Sequence, residues 1–219
     1  MEVVKGKSYK SEELADSRIA LVTLKSIRRG GGYSPGGLKS YVGDYKIEQV
    51  VGPGEIVVAQ TDLTQAADVI GKPAIVPSSG QFETLVASLD LAIARPSSDR
   101  ISRLFVYHLL MSEPFQQHAY AYSNGSTVLH LSKDAIPSFA FELPDPERLA
   151  AFERLTQPLF LLAEALEAQV ETLRAVHIAL LPKLISGQIR VPASYDPGDV
   201  HGMVSEQAGA PHDRGAPHG

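Results

Sequence analysis

Three groups of side chains have the chemistry to meet a phosphate or the edge of a base. Lys7, Tyr9 and Lys10 set two ammonium groups beside one aromatic ring. Lys25, Arg28, Arg29, Tyr33 and Lys39 bracket three consecutive glycines, Gly30 to Gly32, which the composition predicts to be a flexible loop. Asn124, Gly125, Ser126 and Thr127 form a polar turn offering hydroxyl, amide and backbone N–H donors. Lysine and arginine neutralise phosphate, and arginine or asparagine can also pair with purine edges in a groove. Polar turns of this kind bind phosphate oxygens through their donors.

The overall charge, −5 at neutral pH, runs against such a role. Its distribution does not. Residues 1–46 hold nine lysines and arginines against five acids, whereas residues 134–174 hold eight acids against three arginines. One end of the chain can face a polyanion and the other cannot, although an ordinary solvated surface gives the same pattern.

Catalytic signatures do not emerge from the same residues. There is no glycine-rich phosphate loop ending in Gly-Lys-Ser/Thr and no Gly-x-Ser-x-Gly elbow. The glycine run leads into Tyr33, Ser34 and Pro35 and does not open a helix, so it lacks the setting of a dinucleotide fingerprint. Neither His108 nor His118 has a second histidine three or four residues away, and His108, in an apolar helix, reads as a packed or surface residue. Asp44, Glu48 and Asp62 would be the acids of a metal-dependent nuclease, but Asp62 and Asp68 lie in and just after Gln-Thr-Asp-Leu-Thr, where acids serve as turn formers. With no cysteine, disulfides and thiolate sites are excluded. No apolar run approaches the ~18 residues of a membrane span, and Met-Glu-Val-Val-Lys is not a signal sequence, so a cytoplasmic protein is expected.

The elements that must carry these groups fall into three regions. Residues 1–143 contain short β-branched runs separated by glycine and proline: 19–24, 55–60, 73–77, 84–87 and 91–94. One helical interruption, 102–111, is apolar around most of its circumference, and Pro114 ends it. This predicts an α+β domain with a mixed, curved sheet.

Residues 144–191 are helical. Asp145 caps, Pro146 takes the first position, and Pro158 is expected to break the helix and start a second. Leu155, Leu159, Leu162, Leu166, Gln169, Leu173, Val176 and Leu180 then follow one another by alternating steps of four and three, a heptad seam with one polar member. A helix over 158–181 would be about 36 Å long. The seam either lies on its own domain or pairs with another helix. Its narrowness, with Glu164, Glu167, Glu171 and Arg174 outside it, favours a coiled coil in which Gln169 sets the register. Residues 192–219, rich in proline and glycine with scattered His201, His212 and His218, are expected to be a disordered tail.

The segment 180–191, Leu-Leu-Pro-Lys-Leu-Ile-Ser-Gly-Gln-Ile-Arg-Val, resembles the motif that closes the helical region of type I restriction–modification specificity subunits. Gly6 to Leu14, Val22 to Lys25 leading into Arg29 to Tyr33, Pro53 to Ala59, and Gly125 to Ser132 resemble successive parts of a target-recognition domain of that family. The resemblance covers about residues 3–191. It implies a non-catalytic subunit that reads double-stranded DNA while partner subunits act. A methylation subunit would hold S-adenosylmethionine and modify adenine, and a restriction subunit would use ATP and magnesium to translocate and cleave. Specificity subunits carry two recognition domains held apart by two long helices, whereas this sequence has one of each and lacks a leading L-G-D-type strand. It is therefore expected to be a half-subunit, one half of a split subunit, or a truncated relic. A second half-subunit or a second copy of the chain would complete it through the leucine seam. The alternative is a fragment that binds no DNA and serves only as a helical docking or oligomerisation module.

Overall fold

Ile56-Val57-Val58-Ala59 shows how the domain is layered, because all four residues are buried. Alternate side chains of a strand point to opposite faces, so a continuous apolar run needs a core on each side. Ile56 and Val58 pack with Leu104, Val106, Leu110 and Phe115 from helices. Val57 and Ala59 pack with Ala20, Val22, Leu85 and Ala87 from a second sheet. A third, smaller core of Leu21, Tyr41 and Val86 lies on the far side of that second sheet, covered by Tyr9, Leu14, Tyr45 and Val50.

The computed structural model describes residues 1–64 and 66–190, and the tail expected at 192–219, with its three histidines, lies outside them. In chain order the strands are β1 (Glu2–Lys5), β2 (Ile19–Val22), β3 (Leu38–Ser40), β4 (Ile56–Ala59), β5 (Thr61–Asp62), β6 (Pro73–Ile75), β7 (Thr84–Ala87), β8 (Leu91–Arg95), β9 (Ser123–Asn124) and β10 (Leu129–Leu131). The helices are α1 (Arg103–Met111), α2 (Glu113–Ala121), α3 (Ala135–Ser138) and α4 (Pro146–Ile185). The main sheet is antiparallel, in the order β1-β8-β4-β6. In the second sheet β2 pairs antiparallel with β3 and parallel with β7, so the domain is mixed as well as α+β. A small third sheet orders β5-β10-β9.

The predicted strands all form, each within a residue or two of its expected bounds. The helix expected at 102–111 is α1, capped by Ser102, whose hydroxyl accepts from the Phe105 N–H at 3.1 Å. Pro114 does more than end α1. It sits in the first turn of α2, where its missing N–H costs nothing, and α2 was not legible from periodicity.

The described residues divide into two units after Glu164. The first reaches well past residue 143 because the start of α4 belongs to it: Leu149 is buried, Phe152 stacks edge-on against Phe105 and His108, and Phe160 packs on the helical core. Asp145 caps α4 as predicted, its carboxylate accepting from the Arg148 N–H at 2.9 Å. The predicted break at Pro158 does not occur, and α4 runs through it to Ile185. Proline removes one hydrogen bond to the carbonyl four residues back. Pro158 and Arg154 are both exposed, so the bond is lost on the solvent side of the helix, where it costs least. In the second unit, Gly187 ends the helix with φ +73°, its N–H bonding the Leu184 carbonyl at 3.1 Å while the Ile189 N–H reaches the Lys183 carbonyl at 3.1 Å. Among the described residues no helix is long and apolar enough to cross a membrane.

Candidate nucleic-acid interface

Arg28 and Arg29 sit on a short hairpin whose glycines are structural. The Arg28 N–H donates to the Gly32 carbonyl at 3.0 Å, the Gly31 N–H to the Arg28 carbonyl at 2.9 Å, and the Gly32 N–H to the Pro73 carbonyl of β6 at 2.9 Å. Gly31 and Gly32 have φ of +86° and +84°, and a Cβ on Gly31 would lie 2.5 Å from the Met111 sulfur. The loop expected to be flexible is thus tied to the sheet edge and to α1. Tyr33, expected among the DNA contacts, is a core residue at 7% exposure. Burial pushes its hydroxyl up to about 12. It anchors the hairpin and does not offer its ring to a ligand.

Lys25 is exposed on the turn after β2, which the Thr23 hydroxyl ties to the Gly37 carbonyl at 2.7 Å. Lys39, on β3, reaches back over Tyr9: its Nζ is 5.5 Å from the ring centroid and 3.2 Å from the hydroxyl. Tyr9 itself lies on the third core, which fixes the pair. Lys10 is an exposed ammonium 3.4 Å from Glu12, and Lys7 is held through its backbone to Ala87 and Leu89, at 2.7 Å each. The N-terminal cluster and Lys39 therefore share the outer side of the second sheet.

Asn124, Gly125, Ser126 and Thr127 form the exposed tip of the β9–β10 hairpin. Gly125 has φ +123°, and a Cβ there would stand 2.0 Å from the Val128 carbonyl oxygen. Gly125→Ala is expected to cost about 2 kcal/mol or more through backbone strain. A denaturant titration checks this, and an unchanged midpoint would show that the turn has another accessible conformation.

One loop links this hairpin to the arginines. β10 pairs with β5, and from β5 the chain runs through residues 63–70 to Asp68, whose carboxylate lies 3.8 Å from Arg29. Asp62 holds that loop. It is 1% exposed and accepts from the Thr64 N–H and hydroxyl, both at 2.7 Å, the Val69 N–H at 2.6 Å and the Ile70 N–H at 3.0 Å. Burial pushes the Asp62 carboxyl up, but these bonds prevail and hold it below its ordinary 3.8. Its oxygens are spent on the loop, which fits the turn-former reading and not that of a general base.

Apart from the buried Tyr33 and from Lys25 on the turn after β2, the expected residues fall into two groups: Lys7, Tyr9, Lys10 and Lys39 around the second sheet, and Arg28, Arg29 and the 124–127 turn linked through the 63–70 loop. Among the described residues no three histidines or acids come together as a metal site. A cleft of about 540 Å³ between α1 and the start of α4 carries Glu142 and Asp145 at its edge and suits phosphate poorly.

On α4 the two possible positions of the seam separate. Leu149, Phe152 and Phe160 face the chain's own domain. Leu155, Leu159, Leu162, Leu166, Leu173, Val176 and Leu180 are exposed, Leu166 at 51%.

No family model matches the sequence, and no curated protein matches it. Solved structures do. The S subunit of a type I restriction–modification system from M. genitalium superposes with a TM-score of 0.55 at 14% identity, over 84% of this chain and 43% of that one. A chain from a structure of type I restriction–modification complex assembly gives 0.47 at 18% identity, over 83% and 42%. The HsdS subunit from Thermoanaerobacter tengcongensis gives 0.42 at 19%, over 81% and 44%. This chain spans less than half the length of each. The comparison that carries weight is the first, and by it the chain has the α+β fold and long C-terminal helix of a type I restriction–modification S subunit, over about half the length of such a subunit.

Proposed function

We propose that the chain reads double-stranded DNA as a specificity subunit, or half of one, in a type I restriction–modification assembly. The observation that carries this is the shared fold over most of the chain. The basic, tethered Arg28–Arg29 hairpin and the polar 124–127 turn support it. Arg28, Arg29, Lys25 and Lys39 neutralise phosphates, and the two loops approach base edges or the backbone. The chain itself is non-catalytic. S-adenosylmethionine belongs to a methylation subunit, and ATP with magnesium to a restriction subunit. The exposed leucine seam pairs with a second half-subunit or a second copy, so that two heads read a two-part site.

The test is retention of labelled duplex in a gel, with and without a methylation subunit. Replacing Arg28 and Arg29 together by alanine is expected to weaken binding about tenfold. The slope of log affinity against log salt should fall by about two. An unchanged affinity across the salt series would remove this hairpin from the interface. A second reading, favoured by the net charge of −5 and the bare seam, is a helical docking module that binds no DNA. It requires that neither preparation retains duplex.

A further inference from the structure

Sequence reasoning singled out no residue of α2 for a role in binding, and the structure exposes an aromatic one near the end of that helix. Tyr120, in the last turn of α2, is 62% exposed. It follows Gln116 by one helical turn and so shares its face. The Gln116 side chain donates to the Gly71 carbonyl at 3.1 Å, and Gly71, at φ +70°, comes so close to α2 that a Cβ would be 2.7 Å from that of Ala119. Tyr120 therefore stands beside the end of the 63–70 loop, the loop that carries the partner of Arg29. On its other side the Ser123 hydroxyl donates to the Tyr120 carbonyl at 2.6 Å, and β9 leads directly to the 124–127 turn.

The surroundings are held by aromatic packing, and the one acid on the same helix, Glu113, two turns back, accepts from the Gln117 side chain at 3.0 Å. Tyr122 stacks on His118 at 4.4 Å, and His118 Nε2–H donates to the Ala135 carbonyl at 2.9 Å. Residues 114–133 contain no aspartate or glutamate, and neither do residues 17–43, which hold Arg28 and Arg29. The acid of the linking loop, Asp68, already faces Arg29. An exposed ring on the helix that packs on Gly71, with the 124–127 donors on the hairpin that follows, suits a duplex. The donors and the Arg28–Arg29 hairpin hold phosphates, and the ring meets an apolar base edge or a base step.

We infer that Tyr120 is a sequence-determining contact of this domain, one that rests on the DNA-reading function proposed above. It discriminates at one or two adjacent base pairs and adds little to charge-driven binding.

Selection of bound sequences from a randomised duplex pool by the purified full chain tests it, with wild type, Tyr120→Ala and Tyr120→Phe in parallel. Wild type is expected to enrich a motif. Y120A should lose about fivefold or more of its preference at one or two neighbouring positions. Its affinity for the unselected pool should stay within about twofold. Y120F, which keeps the ring, should keep the motif, and matching melting curves establish that all three fold alike. If Y120A enriches the same motif to the same depth, Tyr120 is not a reading residue although the chain still reads DNA. If wild type retains no duplex, both the inference and the function beneath it fall.

Discussion

Asp62→Ala is expected to destabilise the α+β domain by about 3–4 kcal/mol, the largest effect of a single side chain there. The substitution removes one carboxylate and strands three backbone N–H groups, of Thr64, Val69 and Ile70, together with the Thr64 hydroxyl. A buried donor without an acceptor costs about 1–3 kcal/mol, and water entering at Thr64 recovers part of that. Asp62→Asn keeps the shape but turns an NH2 toward some of the same donors, so it should be nearly as damaging. The pH dependence follows from the direction of the shift. The folded carboxyl titrates below its ordinary 3.8, so its contribution is fully present above that value and is lost as pH falls through the folded value. Urea titrations at pH 7 and near pH 3 check both points: the gap between wild type and D62A should narrow in acid. A gap that is equally wide at both values would mean that the bonds do not depend on the charge.

Leu166→Glu is expected to abolish self-association. Half of this side chain's surface is exposed in the single chain, so pairing along the seam would bury it. An unpaired carboxylate in that position costs about 3 kcal/mol or more, a factor of at least about a hundred in the association constant. Ala168→Glu, two residues on and about 200° around the helix, adds the same charge away from the seam and should leave the dimer intact. Sedimentation of the three proteins decides between them, and a dimer that survives L166E would place the contact elsewhere.

Much of this architecture was written in plain patterns. β4 announced itself through Ile-Val-Val-Ala after a Gly-Pro-Gly turn, α1 through its apolar circumference and α4 through the cap Asp145, because burial on both faces and capping leave local marks. The seam was equally legible from its spacing, but not where docking ends and exposure begins: Phe152 continues the same heptad row and packs on Phe105, while Leu155 and Leu159 are exposed. Other features depended on distant parts of the chain. Tyr33 reads as an available aromatic until β6 and α1 close over its hairpin. The glycines at 31 and 32 read as slack until Pro73 and Met111 are seen to need them. α2 was obscured by Pro114, which breaks one helix and starts another with the same ring. Tyr120 was invisible as a candidate because nothing in its own neighbourhood is basic; it gains meaning from Gly71 and Gln116, which bring another loop to its side.

The division of labour on α4 has a practical corollary. Phe152 stands three residues before Leu155 and seven before Leu159, in line with the exposed row, whereas Leu149 and Phe160 lie to one side of it. The residues that seat the start of the helix and those left bare thus separate along its length, and substitutions from Leu162 onward alter the bare row without touching the seat.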